Sequence, residues 1–228
     1  MNSSNPLIFD GHNDVLSKIF SEGGVIKAAS FYNGRKGALD LQKAQVGGFG
    51  GGFFAVYVPS RFDLEFSYQE MEKAQYSLPL PDPIEWSDAV GVVASQVTIL
   101  RKLERMGGLV ICRSVSDIRN AFSKGKIAAI FHIEGAEAID PDLHMLEVLY
   151  SAGLRSIGPV WSRPTIFGEG VPFSFPSSPD IGSGLTEQGI ALVKRCNELK
   201  IMLDLSHLNE AGFWAVSYTH LRAHETKR

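Results

Sequence analysis

Cysteine is scarce: two residues in 228, Cys112 and Cys196, lie far apart and in neither a CxxC nor a CxxH pattern. Such a pair supplies no disulfide framework and no thiolate metal site, so both read as small buried hydrophobes carrying reduced thiols. Long hydrophobic runs are also lacking. No segment approaches the roughly 20 apolar residues of a membrane-spanning helix. The N-terminus "MNSSNPLIFDGHND" has neither a basic leader region nor an apolar signal core. The expectation is a cytoplasmic protein with no membrane partner. Charge of one sign is not in excess: 22 Lys+Arg stand against 25 Asp+Glu, a net charge of -3. That leaves no broad basic field to draw in nucleic acid or anionic lipid. The G-x-S-x-G of a serine-nucleophile elbow is absent as well. At 44% hydrophobic and 21% charged residues, what remains has the composition of a globular chain, with one compact domain as the default.

Short apolar runs alternate with helix-like segments, the pattern of βα units around a parallel sheet. Strands are expected at 7–9, 52–58, 109–112, 127–133, 156–160 and 201–205. Helices are expected at 83–106, with Asp82 as N-cap and Pro83 at the first position, and at 115–123, 142–152 and 186–199. Gly107, Gly125 and Gly153 follow three of these closely, as left-handed C-caps do. Two connections, 59–81 and 162–184, are long and rich in proline, aromatics or glycine; the second is expected to overhang a site at the strand ends. The glycine run 47–52 precedes its strand and reads as a tight turn, because a dinucleotide fingerprint follows a strand and opens a helix.

Three strands end in polar residues of metal-binding type. In "LIFDGHND", alternation puts Asp10, His12 and Asp14 on one face if the extended backbone continues through Gly11. An imidazole and a carboxylate at that spacing suit zinc or another divalent transition metal, with a further carboxylate orienting the imidazole. A surface turn can carry the same letters, and alone this stretch favours the turn. In "IAAIFHIEGAEAI", Glu134 closes a strongly apolar strand and needs a cation or metal, since an unpaired buried carboxylate is costly or protonates. His132 shares its parity but reads better as a hydrogen-bonded interior histidine, and Glu137 falls on the following turn. In "IMLDLSHLNEAGFW", His207 is the obvious ligand, with Asp204 and Ser206 as supports or helix caps. Active sites of parallel α/β sheets and barrels gather at the carboxyl ends of strands.

The ordered motifs DGHND, HIEGAEAI and LDLSH, with "LRSIGPVWSRPTIFGEGVPF" between the last two, resemble the membrane (renal) dipeptidase family, the M19 metallopeptidases of the amidohydrolase superfamily. The resemblance spans residues 7 to about 216 and is closest to bacterial members. It implies a (β/α)8 TIM-type barrel, here incomplete, with about the first six strands present. It implies two zinc ions: His12 and Asp14 on one, Glu134 bridging both and catalytic, and His207 on the second. Asp10 then becomes a support for these ligands. The implied reaction is hydrolysis of dipeptides, including some with a C-terminal D-residue, by a metal-bridging hydroxide. Homodimers are frequent in the family.

The chain departs from the pattern in three ways. Trp161 stands where the family usually has a substrate-contacting histidine, so Trp161 is expected to line the substrate pocket. The family pattern continues with another zinc-binding histidine, an arginine and a late aspartate, so the chain reads as a truncated N-terminal portion, residues 1–216. Residues 217–228, "SYTHLRAHETKR", read as a non-family tail, disordered or artefactual. Two alternatives stand beside the dipeptidase: a non-catalytic fragment or pseudoenzyme that only binds metal, and another amidohydrolase-type metal hydrolase.

Overall fold

The structure is a computed structural model that describes residues 6–60 and 64–225. Along the chain, β1 (Ile8–Asn13) leads into α1 (Val15–Ser21), a 3-10 helix (Gly24–Ala29), α2 (Ser30–Asn33) and α3 (Leu41–Val46). Then come β2 (Phe49–Tyr57), α4 (Leu64–Met71), β3 (Tyr76–Leu78), α5 (Trp86–Met106), β4 (Leu109–Ile111), α6 (Val115–Ser123) and β5 (Ile127–Glu134). The remainder is α7 (His144–Ala152), β6 (Leu154–Gly158), β7 (Phe173–Phe175), α8 (Glu187–Leu199), β8 (Met202–Leu203) and α9 (Glu210–Glu225). Six strands hydrogen-bond in the order β1-β2-β5-β6-β8, with β4 pairing β5. The pairs β1–β2, β4–β5 and β6–β8 are parallel. Parallel strands joined through helices make this an α/β protein, an incomplete (β/α)8 TIM-type barrel.

The chain divides into two compact units. The first comprises residues 1–57, 91–133 and 149–155. In it β5 is buried from Ile127 through Ile133, as a parallel strand covered on both faces must be. Phe31, Phe54 and Phe131 are fully buried, and α5 buries Val93, Ile99, Leu100 and Leu103 at helical spacing. Gln96 lies on the same buried face. It accepts from the Tyr57 N–H at 3.1 Å and donates to the Tyr57 carbonyl at 2.6 Å, satisfying the backbone where β2 ends.

The second unit comprises residues 58–90, 134–148 and 156–228. Val160, Val193, Leu208 and Val216 form an apolar cluster against Leu185, Leu203 and Leu205. Thr186 caps α8 by accepting from the Gly189 N–H at 3.0 Å. The two long connections contain regular structure: β3 and β7 pair antiparallel, Tyr76 opposite Phe175 and Leu78 opposite Phe173.

Several expectations shift. All six expected strands are present, with ends displaced by up to four residues. α5 starts at Trp86 rather than Pro83, because the Glu85 carbonyl takes the Asp88 and Ala89 N–H groups. α7 starts at His144, because Asp140 collects the N–H groups of Asp142, His144 and Met145 at 3.1, 3.1 and 2.7 Å. The glycine run is part turn and part strand: Gly47 and Gly48 form the expected turn after α3, Gly48 at φ 69°, whereas Gly50–Gly52 lie inside β2. A side chain on Gly51 would press into the Ala128 carbonyl, so the run permits close strand approach. Residues 217–225, expected as a disordered or artefactual tail, continue α9 as helix to Glu225. Alanine, leucine, arginine and glutamate favour that conformation, and residues 226–228 lie outside the described residues. Among the described residues no helix is long and apolar enough to cross a membrane. Both cysteines are free and buried; burial pushes the Cys112 thiol up to about 11 and the Cys196 thiol up to about 12.

Candidate metal centre

In the first unit β1 presents His12 near its carboxyl end, and Asp14 follows as the N-cap of α1. An N-cap aspartate ordinarily spends its carboxylate on the helix N–H groups. Asp14 makes no such bond; its Oδ1 lies 3.2 Å from His12 Nε2. That hydrogen bond, and the charge an imidazolium would carry, hold the Asp14 carboxyl below its usual range, although partial burial works the other way. Asp10 lies behind the pair. Its Oδ1 accepts from the His12 N–H at 3.4 Å and its Oδ2 from Asn13 Nδ2 at 3.3 Å, and Asn13 Nδ2 also reaches the Phe53 carbonyl at 3.1 Å. Asp10 thus braces the backbone that carries His12. His132 is 2% exposed, with its ring edge-on to His12 at 5.8 Å between centroids.

In the second unit Glu134 closes β5 with its side chain 14% exposed, and its Oε1 lies 3.1 Å from His207 Nε2. His207 leaves β8 through a turn in which Asp204 Oδ1 accepts from the Ser206 N–H at 2.9 Å. The other imidazole nitrogen, Nδ1, lies 3.3 Å from Ser162 Oγ. The His207 ring is therefore gripped at both nitrogens. His207 and Ser162 both have left-handed backbone, φ 70° and 34°. Such strain costs about 1–3 kcal/mol per residue and collects at sites where geometry is held for function. Trp161, next to Ser162, sets its ring 6.2 Å from that of His207 and edge-on to Phe173 at 5.5 Å. Glu137 lies on the turn after β5, as expected, and is not free there. Its Oε1 takes Arg163 Nε at 3.0 Å and Nη2 at 2.5 Å, with both side chains at 1% exposure or less. Burial pushes the Glu137 carboxyl up, and the guanidinium opposes that shift.

The donors in each unit fit a divalent ion. Zinc bonds to histidine nitrogen and carboxylate oxygen are about 2.0–2.2 Å, so donors separated as His12 and Asp14 are would subtend roughly 100° at a shared ion, near tetrahedral. Glu134 and His207 give nearly the same angle. Sequence reasoning singled out these four residues, with Asp10 and Trp161, but missed Ser162, Phe173 and the Arg163–Glu137 pair. A serine and an arginine in a loop carry no spacing signal; the one available hint was a charged residue close behind the apolar "GPVW" that ends the strand region.

Parallel strands that carry histidine and carboxylate donors at their carboxyl ends make this a barrel-type α/β chain with candidate metal ligands. More specifically, the chain belongs to the membrane dipeptidase family, peptidase family M19, whose sequence profile matches residues 3–220. A metallo peptidase from Rhodobacter sphaeroides, solved with a phosphinate mimic of the dipeptide L-Ala-D-Ala, is 45% identical with a TM-score of 0.90, over 95% of this chain and 63% of that one. The dipeptidase AC, an M19 metallo peptidase, is 46% identical with a TM-score of 0.88, over 95% of this chain and 62% of that one. A protein encoded in the PQQ-III 3′ region of Acinetobacter calcoaceticus is 36% identical over 210 residues, 91% of this chain and 65% of that one. The chain thus spans a little under two thirds of the length of these relatives.

Proposed function

We propose that the chain carries the metal-binding portion of a zinc-dependent dipeptidase that cleaves dipeptides, including those with a C-terminal D-residue. In this reading His12 and Asp14 hold one zinc, His207 holds a second, and Glu134 bridges them. The observation that carries it is the double grip on His207: Glu134 lies at one ring nitrogen and Ser162 at the other, which fixes the ring plane as ligand histidines require. Zinc supplies two things when bound: it lowers the pKa of water and it polarises a carbonyl oxygen. The protein's own groups do the rest. Asp10 holds the His12 backbone; Ser162 holds the His207 ring; Trp161 and Phe173 offer an apolar wall on which a small substrate side chain can pack while water is excluded. The phosphinate mimic of L-Ala-D-Ala bound by the Rhodobacter relative supports the substrate class.

The proposal extends to a cytoplasmic location and to the homodimer frequent in this family. The test is metal analysis of the purified chain together with hydrolysis of L-Ala-D-Ala. Two zincs per chain, with turnover abolished by His12→Ala and by Glu134→Ala, is the expected result; hydrolysis that persists without metal overturns it. A second reading, metal binding without turnover, is favoured by Trp161, which cannot exchange a proton as a histidine does. It predicts two zincs and no hydrolysis.

A further inference from the structure

Arg163 is fully buried, yet it has a partner at every face of its guanidinium. Nε and Nη2 bond Glu137 Oε1, Nη2 also reaches the Val58 carbonyl at 2.9 Å, and Nη1 reaches Ser60 Oγ at 2.5 Å. These partners come from three places: Val58 and Ser60 just beyond β2, Glu137 on the turn after β5, and Arg163 itself on the segment after β6. Two of these three places lie within a few residues of a group the proposed chemistry uses. Glu137 is three residues past Glu134. Its carboxylate packs on Gly135, at φ 85°, where an added side-chain carbon would come within 2.6 Å of Glu137 Oε2. Arg163 directly follows Trp161 and Ser162, and its guanidinium carbon sits 5.6 Å from the centre of the Trp161 ring.

We propose that the Arg163–Glu137 pair is a positioning device: it locks the exits of β2, β5 and β6 together, and so sets the placement of Trp161 and, through Ser162, the His207 ring. Stability alone is a poor reason for such a pair, because apolar residues of similar volume commonly replace a buried ion pair with no loss of stability or with a gain. What apolar residues cannot reproduce is the fork. Five N–H donors in one plane fix direction at several partners at once, and a lysine ammonium does not. Both side chains are closed off at 1% exposure or less, so the pair's effect reaches the chemistry through the residues it places.

The test uses the 228-residue chain with Trp86→Phe and Trp214→Phe, which leaves Trp161 as the only tryptophan. Trp161 placement is read without metal, from emission wavelength and acrylamide quenching; zinc affinity is read separately, by competition with a chromophoric chelator. The zinc arm rests on the proposed function and the fluorescence arm does not. In this background Arg163→Met/Glu137→Met removes both charges together, and Arg163→Lys keeps charge but loses the fork. The double variant is expected to melt at or above the parent, yet to show red-shifted, faster-quenched Trp161 emission and zinc binding weaker by about 10–100-fold. The lysine variant shows the same two changes in smaller degree.

A folded variant of either kind with parent-like emission and quenching overturns the proposal, since a merely stabilising pair leaves Trp161 in place once both charges are gone. Failure of both variants to fold also overturns it, because the pair would then hold the fold rather than the site. A parent chain that binds no zinc, while the variants still shift Trp161, refutes the zinc reading and supports the positioning role.

Discussion

Removing one hydroxyl should weaken metal binding without unfolding the protein. In Ser162→Ala the oxygen 3.3 Å from His207 Nδ1 is lost, and the imidazole can rotate away from the orientation that points Nε2 at Glu134. Partners that orient a metal-binding histidine typically contribute 10–100-fold in affinity, or about 1.4–2.7 kcal/mol. The 3.3 Å separation lies just beyond the most favourable 2.7–3.2 Å range for such bonds. The expected loss is therefore near the lower end, about tenfold or ~1.4 kcal/mol. Ser162 is only 1% exposed, so bulk water has little access to take over from the hydroxyl. Folding stability should fall by no more than about 1 kcal/mol, the usual net value of one hydrogen bond. Zinc titration against a competing chelator measures the first quantity and urea unfolding of the metal-free chain the second. Ser206→Ala is the control, because that side chain is exposed and contributes only its backbone N–H to the turn. Unchanged zinc affinity in folded Ser162→Ala, or an equal loss in Ser206→Ala, refutes the reasoning.

Phe131→Ala, in the fully buried middle of β5, should cost about 3–5 kcal/mol in urea unfolding; a cost below 1 kcal/mol would mean that β5 is not core. Asp40 accepts from the Lys43 N–H and ammonium at 2.8 and 2.7 Å, which lowers its carboxyl from 3.8 to about 2. A carboxyl lowered on folding stabilises above its unfolded value, and that contribution fades as pH falls from about 4 to about 2. Asp40→Asn should therefore flatten the stability profile across that window, and an unaltered acid profile contradicts the cap. Burial raises both thiols, so Cys112 and Cys196 should resist iodoacetamide at pH 8 in the folded chain and label fully in urea; rapid native labelling of either would place it at the surface.

The sheet strands were legible because their residues are apolar and β-branched in runs too short for helices and too regular for loops. Ile127–Ile133 is the clearest case, buried at every position. The residues worth inspecting for chemistry were legible for the complementary reason: a carboxylate or imidazole at the end of a buried strand has few cheap explanations. What stayed hidden depends on distance along the chain. Tyr76 and Phe175 pair across nearly a hundred residues, and no local pattern marks either as a strand. Arg163 meets Val58 and Ser60 over a similar span, so its role exists only once the fold does. Helix starts were misjudged where a loop residue outside the helical pattern supplied the cap, as Asp140 does for α7.

The most direct test of the central claim is the zinc count of the metal-reconstituted chain with each donor removed in turn. Two zincs per chain are expected in the parent, one in His12→Ala and in His207→Ala, and a loss at both positions in Glu134→Ala, whose carboxylate is assigned to both ions. A Glu134→Ala chain that still holds two zincs with parent affinity would contradict it.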